Sequence, residues 1–249
     1  MFELHGRVAL VTGAGQNIGA GIARCLATQG AAVAVNDVVP ERAAATVAAI
    51  EAAGGRAIVA AFDVTDHAAV VAGVAAAEAA LGPVDILVNN AGNGGTAGMS
   101  TTQFHDTDPA SWRGAIDVNL YGVMNCCHAV INGMRERGHG RIVTIASGAG
   151  TMGLGIGVSP YAGGKGGSIG FMRHLAIENA RDGVTANTLA IGLMDSGKGA
   201  STEALARAVP VGRTGRPDDI GYACVYLASD EAAWMTGQTI ELNGGAKTT

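Results

Sequence analysis

TGAGQNIGAG, at residues 12–21, is the stretch that decides the fold of this 249-residue chain. A short apolar run at residues 8–11 precedes it, and residues 18–29 have the pattern of a helix. Glycine-rich turns are common, so the stretch alone is weak evidence. A strand before such a turn and a helix after it, however, are typical of a βαβ unit. The stretch therefore predicts that the chain forms a parallel sheet.

Strand and helix patterns alternate along the rest of the sequence. Further strands are predicted at residues 32–35, 57–61, 84–88, 141–145, 184–189 and 239–242. Further helices are predicted at residues 41–53, 66–81, 109–137 with a bend near Asn119, 160–181 and 218–228. No linker or internal repeat interrupts the pattern. We therefore expect one α/β domain over residues 1–249, a Rossmann-type doubly wound parallel sheet of about seven strands with helices on both faces.

Composition argues against several classes of protein. Charged residues make up 15% of the chain and hydrophobic residues 48%, so a large core is expected and disorder is not. The net charge is -5 and no basic cluster is visible, which argues against nucleic-acid binding. The four cysteines form no CxxC pair, so neither a disulfide framework nor a zinc site is expected. Without a signal peptide or an apolar run of about 18 residues, the sequence predicts a soluble cytoplasmic protein that inserts into no membrane.

The glycine loop also predicts a ligand. In a βαβ unit the pyrophosphate of a dinucleotide lies at this turn, where glycines admit it and the helix N-terminus offers N–H groups. Asp37 ends the second strand, and an acid there can accept hydrogen bonds from the adenosine ribose and would repel a 2′-phosphate. No arginine follows the strand before Arg42, so NAD is expected rather than NADP. The alternative is that Asp37 is only a loop acid before Pro40.

A second stretch, YAGGK at residues 161–165, carries the candidate chemistry. Tyr161 and Lys165 are four residues apart in a predicted helix and therefore lie on one face. A free tyrosine has a pKa of about 10, and a nearby ammonium is expected to lower it. The phenol would then serve as a general acid or base near neutral pH. Any surface helix can carry a tyrosine and a lysine at this spacing. Whether the pair is catalytic therefore has to be judged from the surrounding motifs.

Four motifs occur in a fixed order: the glycine loop, NNAG at residues 89–92, Ser147, and Tyr161 with Lys165. In this order and at these intervals they resemble the short-chain dehydrogenase/reductase family, in its short classical subgroup. The resemblance covers essentially the whole chain. It includes GRTGRPDDI at residues 212–220, TGQ at 236–238 and NGG at 243–245.

The resemblance implies roles for the matching residues, and it implies no metal. Asn119 would hold the helix bend and a water, Ser147 would bind the substrate oxygen, Tyr161 would transfer the proton, and Lys165 would hold the nicotinamide ribose and lower the tyrosine pKa. The cofactor-binding residues would be Gly13, Gly15, Gln16, Asn17, Ile18, Gly19, Asp37, Asp63, Val64, Asn90, Ala91, Gly92, Tyr161, Lys165, Gly192 and Ser196. The family commonly forms tetramers, so a homotetramer is also implied.

The activity implied by the resemblance is hydride transfer between NAD(H) and a secondary alcohol or ketone, which the cofactor itself carries out. Apolar residues flank Ser147 and Tyr161 and favour a lipophilic or cyclic substrate. One alternative is a 3-oxoacyl thioester carried by acyl carrier protein or coenzyme A. An alternative of another class is a dinucleotide-binding regulator without catalysis, although such relatives usually lack the tyrosine or the lysine.

Several residues depart from the family pattern. Asn17 stands in place of a glycine, and because asparagine tolerates a left-handed backbone better than most residues, the turn is expected to survive. Ile191 stands in place of a proline, which removes a restraint on φ near the nicotinamide. Ser147 and Tyr161 are one residue further apart than the pattern, and residues 93–108 look long. That segment and residues 191–209 are expected to edge the substrate pocket.

Overall fold

The computed structural model describes residues 1–92, 101–195, 204 and 206–248. Seven strands form one sheet, and every neighbouring pair in it is parallel. The strands are β1 (Val8–Val11), β2 (Ala32–Val35), β3 (Arg56–Val59), β4 (Ile86–Asn89), β5 (Gly140–Ser147), β6 (Val184–Ile191) and β7 (Thr239–Leu242). Their order across the sheet is β3-β2-β1-β4-β5-β6-β7. The predicted doubly wound parallel sheet is confirmed.

Helices cover both faces of this sheet. They are α1 (Asn17–Thr28), α2 (Pro40–Ala52), α3 (His67–Leu81), α4 (Trp112–Ile116), α5 (Gly122–Arg137), α6 (Ser159–Asn179) and α7 (Pro217–Ala228). Because side chains alternate along a strand, β1 sends Ala9 and Val11 into one core and Val8 and Leu10 into the other. The first core contains apolar residues of α1, α2 and α7, and the second contains those of α3, α5 and α6.

The sheet reverses its strand order between β1 and β4. β1 pairs with β2 on one side and with β4 on the other, so the chain leaves these strands in opposite directions. In open α/β sheets the carboxyl ends of the strands leave a crevice at this point. Further along the same edge, Ser147 at the end of β5 pairs in register with Ile191 at the end of β6. The sequence motifs therefore follow strands that end at one edge of the sheet.

The predicted helix at residues 109–137 is divided into several parts. A 3₁₀ turn (Pro109–Ser111) leads into α4, and a π-helical turn (Asp117–Tyr121) joins α4 to α5. The irregularity predicted near Asn119 is therefore present, as a π turn, a feature that occurs frequently at functional sites. Strands β5 and β6 each run two residues past their predicted ends, because pairing between them continues to Ser147 and Ile191.

No helix in the described part of the chain is long and apolar enough to cross a membrane.

Candidate active site

The glycine loop follows β1 and is shaped by close approaches of the backbone. Gly13 has a φ of +59°, and a Cβ added at Gly19 would strike the Gly13 carbonyl oxygen and lie 2.5 Å from Asn90 Nδ2. Asn17 has a φ of +49°, which confirms that it adopts the left-handed backbone expected of it. No side chain in the described residues caps the start of α1, and its first turn holds no acid. The positive end of the helix dipole therefore meets no carboxylate from that first turn.

Two side-chain amides, of the buried Asn36 and the partly buried Asn90, hold this loop in place. Asn36 Oδ1 accepts a hydrogen bond from the Gly13 N–H (3.3 Å), while its Nδ2 donates to the Ala60 and Phe62 carbonyls (2.9 Å each). Asn90 Nδ2 donates to the carbonyl of Gly13 and to that of the residue before it, at 2.9 Å each. Sequence reasoning missed Asn36, whose only signal is a polar residue directly after the apolar strand AVAV.

Asp37 lies at the carboxyl end of β2 and is 6% exposed. Its Oδ2 accepts from the Gly15 N–H (3.1 Å), and its Oδ1 accepts from the Val39 N–H (3.0 Å). A Cβ added at Gly15 would lie 2.6 Å from both Asp37 Oδ2 and Arg42 Cβ. Arg42, which the sequence reasoning discounted, therefore lies beside the acid and the loop. The next strand end contributes Asp63, whose Oδ1 accepts from the backbone and hydroxyl of Thr65 (2.8 Å each).

Ser147, Tyr161 and Lys165 come together at the ends of β5 and α6. The Ser147 side chain lies beside the Tyr161 hydroxyl and lowers the pKa of the phenol. Ser147 Oγ also accepts from the Ala149 N–H (3.2 Å). Lys165 is 5% exposed, and its Nζ donates to the Ile145 carbonyl (2.6 Å) and lies 5.9 Å from the centre of the Tyr161 ring.

Gly92 and Asn119 complete this cluster. A Cβ added at Gly92 would lie 2.8 Å from Asn119 Oδ1 and 2.9 Å from Lys165 Nζ, so glycine is what lets the chain after β4 approach both groups. Asn119 is fully buried in the π turn, and its Nδ2 donates to the Ala115 carbonyl (2.8 Å). The structure therefore brings all four predicted catalytic residues to one place.

Burial shifts the pKa values of two groups in this cluster. It lowers the pKa of the Lys165 ammonium to about 8, because the charged form loses its water. Burial also raises the pKa of Tyr161 above its ordinary value, and the neighbouring Ser147 side chain offsets this only in part. The net lowering of the tyrosine pKa that the sequence predicts is therefore wrong for this structure: the effect of burial on Tyr161 dominates, and the Lys165 ammonium is itself desolvated and donates to a carbonyl. Tyr161 is a neutral phenol at neutral pH.

One cleft of about 760 Å³ joins the glycine loop to this cluster, within the range of roughly 300–1,000 Å³ usual for ligand sites. The predicted residues that line it are Gly13, Gln16, Asn17, Ile18, Gly19, Asp37, Asp63, Val64, Asn90, Ala91, Gly92, Tyr161 and Lys165. Residues that line it without having been predicted include Asn36, Arg42, Ile145 and Ile191.

Four predicted residues with described positions, Gly15, Asn119, Ser147 and Gly192, are not part of the cleft wall. Gly192 packs instead against the end of β7 and the residue after it: its N–H donates to the Leu242 carbonyl (3.1 Å), and a Cβ there would lie 2.8 Å from Asn243 Cα. Ser196 lies outside the described residues. Over residues 1–92, 101–195, 204 and 206–248, no group of three or more His, Cys, Asp or Glu side chains is placed to hold a metal ion.

Comparison with known proteins agrees with the resemblance in the motifs. The family model described as enoyl-(acyl carrier protein) reductase matches residues 13–247. The chain is 40% identical to acetoacetyl-CoA reductase of Shinella zoogloeoides over 245 residues, which cover 96% of this chain and 98% of the relative. It is 39% identical to 3-oxoacyl-[acyl-carrier-protein] reductase FabG of Escherichia coli (strain K12) over 248 residues, 98% of each chain.

A solved structure is similar as well. Gluconate 5-dehydrogenase from Burkholderia cenocepacia J2315, in complex with NADP and tartrate, superposes with a TM-score of 0.90 at 36% identity, over 98% of this chain and 96% of that one. The agreement of fold, family model and relatives extends over nearly the full length. The chain therefore belongs to the classical short-chain dehydrogenase/reductase family and is an oxidoreductase.

Proposed function

We propose that the chain is an NAD(H)-dependent enzyme that interconverts a 3-oxoacyl thioester and the corresponding 3-hydroxyacyl thioester. The observation that carries the reaction type is the pair Tyr161 and Lys165, with Ser147 beside them, at one end of a cleft whose other end is the glycine loop. Two relatives, an acetoacetyl-CoA reductase and a 3-oxoacyl-[acyl-carrier-protein] reductase, favour the thioester over the lipophilic alcohol that the flanking residues alone suggest.

The residues present fit a dinucleotide. Gly13 and Gly19 leave room where side chains would collide, and the first turn of α1 places no carboxylate against a pyrophosphate. Asp37 would hold the adenosine ribose, and Lys165 the nicotinamide ribose. When bound, the nicotinamide supplies or accepts the hydride.

The protein's own part is to bind the substrate oxygen and to move one proton. The neutral phenol of Tyr161 would donate its proton to the ketone oxygen as that oxygen becomes the alcohol, leaving a phenolate. The Ser147 hydroxyl would donate to the same oxygen and stabilise its developing charge. The Lys165 ammonium, 5.9 Å from the ring centre, would stabilise the phenolate until a proton returns. Asn119, buried in the π turn, would hold a water on that return path.

The choice of NAD rests on Asp37. Each carboxylate oxygen already accepts one backbone N–H, but a carboxylate has about four acceptor positions, so two remain for ribose hydroxyls. A 2′-phosphate at the same place would meet a negative charge. NADP is the alternative, favoured by Arg42 in the same wall and by the NADP in the gluconate 5-dehydrogenase structure. Tighter binding of NADPH than of NADH would overturn the assignment.

A lipophilic or cyclic secondary alcohol stays the second candidate substrate. Leu154 and Ile156, which lie between Ser147 and Tyr161 in sequence, are 40% and 52% exposed, and Leu193 is 43% exposed. Exposed apolar side chains in the segments that follow Ser147 and Ile191 would suit an apolar substrate.

The test is turnover of the purified protein. NADH is supplied with acetoacetyl-CoA or with a panel of cyclic ketones, and consumption of the reduced nicotinamide is followed by absorbance. We expect a larger kcat/KM for the thioester. A larger kcat/KM for a cyclic ketone would favour the second candidate. Tight NADH binding with no turnover of any panel member would favour the non-catalytic regulator.

We also propose a homotetramer, on the family resemblance alone. Sedimentation at low protein concentration is expected to give four chains per particle, and a monomer would contradict it.

A further inference from the structure

A small network of side chains ties residues 243–247, which follow β7, to the turn behind Ser147. We call residues 243–247 the return segment, because the chain reverses direction there and brings Lys247 back to Glu241 on β7. Gly244 and Gly245 have φ values of +65° and +87°, a conformation that L side chains rarely adopt. Asn243 fixes the bend: its Oδ1 accepts from the Gly245 N–H (3.0 Å) and its Nδ2 donates to the Lys247 carbonyl (3.1 Å).

The bend brings Lys247 onto two partners. Lys247 Nζ donates to Glu241 Oε1 on β7 (2.7 Å) and to the Thr151 carbonyl (3.3 Å). Both side chains of the ion pair are largely buried, with 21% of Lys247 and 15% of Glu241 exposed. The Lys247 ammonium, together with Thr151 and Asn243 nearby, lowers the pKa of Glu241. We refer to Glu241, Lys247 and Thr151 together as the latch.

Thr151 leads directly to Ser147. The Gly148 carbonyl accepts from the Thr151 N–H (3.0 Å), from its hydroxyl (3.2 Å) and from the Met152 N–H (2.9 Å), which closes the turn. Inside that turn, the Ala149 N–H donates to Ser147 Oγ (3.2 Å). Without the hydrogen bond from Lys247 to the Thr151 carbonyl, the turn would be held by one contact fewer, and the rotamer of Ser147 would be less restrained.

The other side of the turn lies on the helix that carries the lysine. A Cβ added at Gly150 would lie 3.0 Å from the Gly166 nitrogen and 3.0 Å from the Lys165 carbonyl carbon. The turn is therefore held between α6 on one side and the return segment on the other. The strand register agrees with this placement of the turn near the return segment. Ser147 on β5 pairs with Ile191 on β6, and Ile191 pairs with Leu242 on β7, the residue next to Glu241.

We propose that Glu241 and Lys247 are positioning residues that hold the turn behind Ser147, so that its hydroxyl is aligned with that of Tyr161. The proposal rests on the proposed function, because alignment matters only if Ser147 binds the reacting oxygen. A hydroxyl displaced by a fraction of an ångström gives up stabilisation in the transition state while the cofactor binds as before. Loss of the latch therefore lowers kcat more than it changes cofactor affinity.

The first test is Lys247→Met, which keeps the apolar stem and removes the ammonium. We expect kcat to fall roughly tenfold, with the Kd for NADH unchanged, and Lys247→Arg to restore most of the loss. The matched control is Arg135→Met. It breaks an ion pair with Asp182 (2.8 Å), which lies just before the amino end of β6 and so at the far ends of the strands from Ser147, and it should leave kcat unchanged. Equal kcat for Lys247→Met and the wild type would overturn the proposal.

A second measurement separates alignment of Ser147 from a general structural defect. In a Ser147→Ala background there is no hydroxyl to align, so Lys247→Met should cause no further loss of kcat. A further tenfold loss in that background would show that Lys247 acts by another route.

A third measurement needs no substrate, so it stands even if the proposed function fails. Hydrogen exchange of the amides of Thr151 and Met152 should quicken in Lys247→Met and stay unchanged in Arg135→Met. Unchanged exchange in both variants would refute the latch whatever the substrate is. Faster exchange together with a wild type that turns over no thioester would keep the latch and remove the proposed function.

Discussion

The two ends of the cleft are built by different means. At the glycine-loop end, the uncharged amides of Asn36 and Asn90 hydrogen-bond backbone groups, and an amide that has such partners costs little to bury. At the catalytic end, burial shifts the pKa of Lys165 down and that of Tyr161 up, which means that a charge on either group costs free energy there, and Lys165 carries one at neutral pH. The glycine-loop end therefore stabilises the fold and shapes the cleft, whereas the catalytic end lowers the stability of the fold in order to hold reactive groups. Substitutions at the two ends should therefore have opposite effects.

Among substitutions that compare the two ends, the largest effect is expected from Lys165→Met. Activity should fall roughly 10²–10³-fold, because the charge that stabilises the phenolate is lost. Stability should rise near neutral pH. Moving a pKa from 10.5 to about 8 corresponds to roughly 3 kcal/mol of destabilisation in the wild type. The variant also loses the hydrogen bond to the Ile145 carbonyl, which reduces this gain in stability by about 1 kcal/mol. Denaturant unfolding of the cofactor-free protein measures the difference.

The pH dependence of this difference follows from the sign of the shift. Below pH 8 both folded and unfolded wild type carry the Lys165 proton, so the full cost of burying the ammonium is present. Between pH 8 and 10.5 only the unfolded state keeps the proton, and the cost declines as pH rises. The advantage of Lys165→Met should therefore shrink across this window. A constant difference between the two proteins would contradict the buried ammonium.

The next largest effect is expected from Asn36→Ala at the other end. The change leaves two carbonyls and the Gly13 N–H without their partner, so the free energy of unfolding should fall by roughly 3 kcal/mol. The kcat at saturating cofactor should change little. Asn125→Ala is the control, since it removes a single bond to the Val64 carbonyl (2.9 Å) and should cost about 1 kcal/mol. Equal losses of stability in the two variants would show that Asn36 has no special part in holding the loop.

The smallest effect is expected from Asp37→Asn, which removes the charge and keeps an oxygen acceptor for the Gly15 N–H. The ratio of NADPH to NADH affinity should rise about tenfold, or about 1.4 kcal/mol. Asp63→Asn, a second acid in the cleft wall, is the control and should leave the ratio unchanged. Titrating each protein with NADH and with NADPH, and following its intrinsic fluorescence, measures the two affinities. A ratio that stays at the wild-type value in Asp37→Asn would remove Asp37 from cofactor selection.

The sequence predicts the fold well, because strand and helix periodicities are local and the glycine loop fixes the first βαβ unit. It also locates Ser147, Tyr161 and Lys165, because their order and spacing form a motif. It does not reveal Asn36, whose three partners come from distant parts of the chain. The direction of the Tyr161 pKa shift was predicted wrongly for the same reason. Burial and the bond from Lys165 to Ile145 depend on packing, which spacing along a helix does not show.

The central claim is that the Tyr161 phenol transfers the proton. Wild type and Tyr161→Phe are compared with NADH and acetoacetyl-CoA, the substrate that the wild type is expected to reduce. The account predicts that Tyr161→Phe loses roughly 10³-fold in kcat, while its affinity for NADH and its unfolding midpoint stay close to those of the wild type. Turnover by Tyr161→Phe at the wild-type rate would contradict the claim, because another group would then be supplying the proton.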